Sequence, residues 1–439
     1  MEGVCLINLG CPRNEADGEV LLGRLASAGY AVSPDPAEAE VILVNTCAFV
    51  EDAVNESIEA VLLAAGYKTS GALRRLVVCG CLPQRYGKEL AGSLPEADAF
   101  VGVGCAHRIV EAVQSEKRVL LFGPPEQTPL ATAKDPRLWP GGSTAYLKIA
   151  EGCPGRCTYC AIPRLRGPLR SRPPEDVEAE TRALYEMGAR EIVLVAQETT
   201  AYGMDLPGAG DLADLLPRVC EAAPDAWVRF LYGHPLRIPD RLLSAVNSLP
   251  QVCPYFDVPV QHASDRILKA MGRRYGKQDL VDLFSRIRDR VPDAVLRTTL
   301  MTGFPGETEE DFAKLADLVE TVRFDHLGVF AYSDAEDLPS HRLENPVPPK
   351  AAHARRKALL EMQAAISLDK LAVLVGKGIG VMILENTGNP EAPFQGRTMG
   401  QAPGIDGITR VRGRGAKPGD LVRARVVAAG PYDLLAEIE

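Results

Sequence analysis

Residues 151–160 read Glu-Gly-Cys-Pro-Gly-Arg-Cys-Thr-Tyr-Cys, which spaces Cys153, Cys157 and Cys160 as C-x3-C-x2-C. Three thiolates this close can ligate three irons of a cubane 4Fe-4S cluster and leave the fourth iron without a protein ligand. Catalytic metal sites keep such an open position, whereas structural ones close it. A zinc site would need a fourth ligand nearby, but the next cysteine is Cys220 and the next histidine is His234. A β-like run at 146–150 precedes the stretch, and five more follow at 192–196, 228–232, 256–260, 296–301 and 327–331. Helical patterns at 174–188, 278–290 and 308–321 lie between them. Six βα units predict an open, partial TIM-like (βα)6 barrel. The cysteine loop then follows the first strand, at the end of the barrel where active sites gather.

Working outward, the first 120 residues also alternate β-like runs (4–9, 41–45, 76–78, 99–103) with amphipathic stretches, which predicts a parallel, doubly wound α/β domain. Cys11, Cys47 and Cys81 each come just after one of these strands, 36 and 34 residues apart. All three therefore belong at the C-terminal edge of neighbouring strands, where doubly wound sheets bind ligands. They make either a second three-cysteine cluster site or three core thiols, and Cys79, on the same strand face as Cys81, leaves both readings open.

With 439 residues the chain divides into about three domains. The expected boundaries are 1–120, a Pro/Gly-rich linker at 121–138, the barrel at 139–370 and a small antiparallel β-barrel at 371–439. A charged helix at 349–370 leads out of the central barrel. No apolar run reaches the roughly 20 residues that span a bilayer, and the start lacks a secretory pattern, so a cytoplasmic protein without membrane contact is expected. Eleven cysteines there point to metal or redox chemistry, not disulfides. A net charge of −9 argues against a large nucleic-acid-binding surface.

The Cys153–Cys160 spacing is that of the radical S-adenosylmethionine (SAM) superfamily. Asn-Leu-Gly-Cys-Pro-Arg-Asn around Cys11, Val-Asn-Thr-Cys-Ala-Phe-Val-Glu-Asp-Ala around Cys47 and Gly-Cys-Leu-Pro-Gln-Arg-Tyr around Cys81 resemble the three motifs of the methylthiotransferase N-terminal domain. The resemblance extends over the whole chain, the last piece being TRAM-like. It implies two 4Fe-4S clusters: one on Cys153, Cys157 and Cys160 that binds and cleaves SAM, and an auxiliary one on Cys11, Cys47 and Cys81 that carries the sulfur. Cys5, Cys79, Cys105, Cys220 and Cys253 remain core thiols. An external electron donor and a sulfur donor are implied as partners. The resulting radical removes hydrogen from the target carbon, which then collects the methylthio group, so radical and sulfur must meet in one cavity between the two domains.

Two branches of this family differ in substrate. Cys-Ala-Phe-Val-Glu-Asp-Ala at 47–53, Gln-His-Ala-Ser-Asp at 261–265, Ala-Gln-Glu-Thr-Thr at 196–200 and Ala-Pro-Gly-Ile-Asp-Gly at 402–407 are similar to the branch that modifies an aspartate β-carbon in ribosomal protein S-twelve. The branch acting on isopentenyladenosine in tRNA shows other residues at the first two stretches, and tRNA is not the expected partner. Glu198 and Gly404 depart from the ribosomal-protein pattern. From Lys370 onward nine Lys/Arg face seven Asp/Glu, with a basic run at Arg410, Arg412 and Arg414, whereas an acidic domain suits a basic ribosomal protein better. The reading from another class is a non-catalytic iron–sulfur protein that binds RNA or senses redox state.

For SAM itself the resemblance points to Tyr159 beside the adenine, although a ring packing the loop onto the barrel fits equally. Gly303 and Gly306, in Thr-Gly-Phe-Pro-Gly-Glu, offer backbone approach and helix-end donors, or simply a tight turn. Gln197, Gln261 and Arg297 lie near strand ends at the same mouth, either as SAM contacts or as rim hydrogen bonders. The six histidines show no metal spacing, and no Ser/His/Asp or paired-carboxylate arrangement calls for acid–base catalysis.

Overall fold

The computed structural model describes residues 2–439. Strands β1 (Gly3–Asn8), β2 (Ala31–Val32), β3 (Val41–Thr46), β4 (Arg75–Gly80), β5 (Ala99–Gly102) and β6 (Val119–Leu121) form one parallel sheet, ordered β2-β1-β3-β4-β5-β6. Val-Ile-Leu-Val-Asn-Thr of β3 is buried at every residue, as a parallel strand covered on both faces must be. The chain runs outward from β1 to β2 and returns on the other side of β1 with β3, so the order reverses between β1 and β3. Crevices at such switch points bind ligands. Cys11, Cys47 and Cys81 follow β1, β3 and β4, three adjacent strands at that switch point. Strands β2 and β6, two and three residues long, are too short to leave a periodic pattern, which is why the sequence did not mark them.

Strands β7 (Thr144–Lys148), β8 (Ala150–Glu151), β9 (Arg170–Ser171), β10 (Glu191–Val195), β11 (Trp227–Phe230), β12 (Tyr255–Asp257), β13 (Val295–Thr302) and β14 (His326–Ala331) build the second unit. Two parallel three-stranded sheets, β7-β10-β11 and β12-β13-β14, are joined by a bridge between Val228 and Val252. This is the expected open (βα)6 barrel. Strands β11 and β12 stop short of the predicted ends. Just beyond them Tyr232 (φ 65°) and Gln261 (φ 70°) adopt left-handed backbone, which breaks the pleat. The two-residue ladder β8–β9 ties the base of the loop that carries Cys153, Cys157 and Cys160.

The helix Pro349–Ala372 leads to β15 (Gly378–Asn386), β16 (Phe394–Arg397), β17 (Thr409–Arg412), β18 (Leu421–Ala429) and β19 (Leu434–Ile438), a closed barrel. It is not wholly antiparallel, because β17 pairs with β19 in parallel while β18 runs between them in the chain. This small barrel covers the inside of the large one. Met382 and Ala402 pack against Tyr146, Val193, Val195, Trp227 and Tyr255. Glu191 and Arg229, both without exposed side-chain surface, meet Arg397, with N–O separations of 2.8 Å to Arg229 and 2.5 Å to Arg397. The proline-rich connection is a packed seam and not a free span: Arg137 binds Glu19 and Glu180 at 2.6 Å each.

Candidate functional site: two thiol sets across one interface

Burial divides the eleven cysteines cleanly. Cys5, Cys79, Cys105, Cys220 and Cys253 are buried, whereas the six candidate ligands are all partly exposed. Burial also pushes the Cys79 thiol far up, as befits a core residue. Cys11 sits at the N-terminus of the helix Pro12–Ser27, and Cys81 begins the helix Cys81–Ser93. Glycine leaves space beside the sulfurs. A Cβ at Gly10 (φ 93°) would lie 2.8 Å from Cys47 Cβ, and one at Gly155 would lie 3.2 Å from Cys153 Sγ.

Two guanidinium groups reach the N-terminal set. Arg13 Nε donates to Cys11 Sγ at 3.3 Å, and Arg166 Nη2 donates to Cys81 Sγ at 3.3 Å and to Asn14 Oδ1 at 2.7 Å. Burial raises the Cys11 pKa, but Arg13 and Arg166 together bring it below the ordinary thiol value. Burial works against the charge on Arg166, and the facing Cys81, Glu151 and Asp17 outweigh it. Lys148 completes this network through Asp17 and, at 2.6 Å, Glu151. Arg13 also crosses into the barrel, donating to the Ala196 carbonyl at 3.4 Å and stacking 4.7 Å from the Tyr232 ring centre.

The barrel set lacks such donors. Cys153 Sγ accepts from the Gly155 N–H at 3.3 Å and lies 3.9 Å from Glu198 Oε2. Burial pushes Cys153 up to about 11 and Cys160 up to about 12. These are protonated thiols that would release their protons on binding iron. Tyr159 is buried, edge-on to Phe304 at 6.4 Å, and its hydroxyl accepts from Arg273 at 2.8 Å. The ring therefore packs the loop onto the barrel. Among the described residues no three His, Cys, Asp or Glu side chains converge tightly enough for a single ion. Both sets instead fit a polynuclear cluster: half-open thiols, room kept by glycine, and N–H donors aimed at sulfur.

The two sets face one another. Cys81 packs against the cluster of Ala161, Leu165 and Leu338, whose first two members follow Cys160 within five residues. Arg85, four residues after Cys81, grips Asp337 at the barrel lip through two hydrogen bonds of 3.0 and 2.6 Å. Between the domains opens a cleft of about 610 Å³, lined by Phe49, Val50 and Arg85 on one side and Tyr159, Gln261 and Met301 on the other. The left-handed Gln261, strained for a non-glycine residue, faces this cleft.

The remaining sequence candidates scatter. Gln197 Nε2 donates to Glu151 at 2.5 Å, while its Oε1 is buried without a partner near the barrel set. Arg297 lies 3.1 Å from Asp406 and 3.6 Å from Asp257, so its charge holds the C-terminal barrel. The Gly303 N–H donates to Glu307 within the turn (2.8 Å) and the Gly306 N–H to the Asn345 carbonyl of a distant loop (2.7 Å), so both donors already have protein partners. Sequence reasoning passed over Arg13, Glu151 and Arg166. Arg13 stands inside a quoted motif and Arg166 six residues after Cys160, but spacing rules mark ligands and not their neighbours.

Residues 3–102 match the uncharacterized protein family UPF0004, residues 147–319 the Radical SAM superfamily and residues 375–438 the TRAM domain. The chain is 50% identical over 440 residues to the ribosomal protein uS12 methylthiotransferase RimO of Desulfosudis oleivorans, covering 99% of this chain and 100% of that one. It is 44% identical to the protein of the same name in Geobacter sulfurreducens, over 100% of this chain and 98% of the relative. Among solved structures, the radical S-adenosylmethionine methyltransferase TsrM from Kitasatospora setae aligns with a TM-score of 0.56 at 16% identity, over 78% of this chain and 77% of that one. That likeness concerns the fold alone.

Proposed function

Because the chain belongs to the RimO family of ribosomal protein uS12 methylthiotransferases, we propose that it is a radical SAM enzyme that adds a methylthio group to the β-carbon of an aspartate in uS12. The observation that carries this reading is the closeness of the two three-cysteine sets at one domain interface, where Cys81 packs against the segment that follows Cys160 and Arg166 of that segment donates to its sulfur. Cys153, Cys157 and Cys160 would hold the SAM-binding cluster, and Cys11, Cys47 and Cys81 the sulfur-carrying one. When bound, these clusters supply the electron that cleaves SAM and the seat for the transferable sulfur.

The protein's own share is placement and shielding. Arg85 and Asp337 hold the N-terminal sheet over the barrel mouth, beside the cleft that would receive a substrate side chain. Tyr159, Phe304 and Met271 pack together behind the barrel set and keep water from it. Gln197, fixed by Glu151, keeps a buried, unpartnered oxygen that an ammonium group would satisfy. Gln261 lines the cleft as a contact for SAM or substrate. An external reductant and a sulfur donor are required, and the enzyme meets uS12 in the cytoplasm. Among the described residues no helix is long and apolar enough to cross a membrane.

The test is a paired assay with anaerobically reconstituted enzyme, SAM, sulfide and dithionite. One tube contains uS12 or its aspartate-loop peptide and the other isopentenylated tRNA, each read by mass spectrometry. A methylthio group on the peptide is the expected result. Modification of tRNA alone would overturn the substrate and leave the chemistry.

A further inference from the structure

Arg166 belongs to the barrel domain by sequence and to the N-terminal site by contact. It ends the short helix Ile162–Arg166 that follows Cys160, yet its Nη2 donates to the sulfur of Cys81 at 3.3 Å. The same atom bonds Asn14 Oδ1 at 2.7 Å, while Nη1 pairs with Asp17 at 2.7 Å and Glu151 at 3.4 Å. The guanidinium is thus held on several sides, with only 3% of its side chain exposed. Arg13 makes the matching contact to Cys11 from within its own domain. Among the described residues no guanidinium or ammonium group donates to Cys153, Cys157 or Cys160. There the donors to sulfur are backbone N–H groups, Gly155 to Cys153 and Ile162 to Cys160, and Glu198 faces Cys153.

A charge-assisted N–H···S bond favours the more negative state of a cluster, because it stabilises electron density on the thiolate sulfur. A three-thiolate 4Fe-4S cluster gains negative charge when it takes up one electron and again when its open iron takes up an anionic sulfur ligand. We infer that Arg166 is a positioning residue lent by the barrel to complete the N-terminal site. Acting through Cys81, it sets that cluster's reduction potential and its hold on anionic sulfur, and it leaves the barrel cluster untouched. The N-terminal set is then electronically finished only when the two domains are docked. This rests on the assignment of Cys11, Cys47 and Cys81 as cluster ligands.

The test is an EPR-monitored redox titration of full-length protein that keeps one cluster at a time. Cys153→Ala/Cys157→Ala/Cys160→Ala isolates the N-terminal cluster, and Cys11→Ala/Cys47→Ala/Cys81→Ala isolates the barrel cluster. Into each background go Arg166→Met, which removes the charge, and Arg166→Lys, which keeps it without the planar fork. Expected is a shift of the N-terminal cluster to a more negative midpoint in Arg166→Met, a smaller shift of the same sign in Arg166→Lys, and no shift of the barrel cluster. Where Arg166→Met fails to fold, Arg166→Lys decides by the sign of its shift. An unchanged N-terminal midpoint in a variant with normal iron content overturns the inference. Equal shifts of both clusters, or loss of iron with no shift in what remains, do the same. A parent protein without any iron on the N-terminal set would instead overturn the ligand assignment beneath it.

Discussion

Replacing Glu191 by Gln should release the C-terminal barrel. Glu191 has no exposed surface and faces Arg229 and Arg397, whose side chains are 0% and 3% exposed. Its Oε1 accepts from Arg229 Nε at 2.8 Å, and its Oε2 accepts from Arg397 Nη2 at 2.5 Å and Thr144 Oγ1 at 3.0 Å. An amide has one accepting oxygen and a donating NH2, so one arginine would face another donor. Removing one partner of a buried pair costs about 3–5 kcal/mol, since the remaining charge stays buried and uncompensated. At about 1.4 kcal/mol per tenfold, the undocked population rises by roughly two to three and a half powers of ten. Lys377, exposed at the joint after the helix Pro349–Ala372, is the natural reporter. When reclosing is fast, cleavage there follows the open population, so the initial tryptic rate should rise by about a hundredfold or more. Trp227, on the strand that carries Arg229, should report the same loosening by fluorescence. A cleavage rate within about threefold of the parent would refute the reasoning. The combined Glu191→Leu, Arg229→Met and Arg397→Met variant should dock again, because apolar replacement of a whole buried triad is often neutral or stabilising.

The Arg85 pair holds the Asp337 carboxyl below its unfolded value of 3.8. Its contribution is therefore fully present above that value and is lost as pH falls through the lower folded value. Hydrogen exchange of residues 48–51 and 333–338 should be constant from pH 7 to 5 after correction for intrinsic rates and rise toward pH 3, and Asp337→Asn should abolish the step. Gly10→Ala places a methyl group 2.8 Å from Cys47 Cβ at φ 93°, so iron per chain should fall by about half, with the barrel cluster's EPR signal intact. Unchanged iron would show that Cys47 is not a ligand. Cys79→Ala should keep the full iron content, whereas Cys81→Ala should lose about half of it; the reverse outcome would exchange their roles.

Much of this was legible because local chemistry and chain position coincide. Cys153, Cys157 and Cys160 are neighbours in sequence and share one loop, and Cys11, Cys47 and Cys81 follow strands whose apolar runs are unmistakable. What stayed hidden depends on contacts between residues far apart in the chain. Arg297 stood among the candidate SAM contacts, yet Asp406, 109 residues later, takes its charge. Glu191 and Arg397, 206 residues apart, carry no local mark of their pairing. Tyr232 lies beyond the short β11 and Gln261 beyond β12, both in left-handed backbone conformations that side-chain identity does not announce. The TRAM-like piece was recognised as a barrel, but its place inside the larger barrel was not, because a plug and a pendant module share one surface pattern.

That plug has a consequence for how the protein is made. The inner wall of the large barrel, with Tyr146, Trp227 and Tyr255, is covered by Met382, Ala402 and the Asp406 loop. Its last strand ends at Ala331, so some 75 further residues must be synthesised before Asp406 exists. At roughly 5–20 residues per second this takes about 4–15 s, during which three large aromatic rings lack their cover. A stretch made only after the whole barrel is thus the one that completes the middle of the fold. A nascent chain stalled before it would present an aromatic wall to chaperones and proteases, and so could be removed before any iron was spent on it.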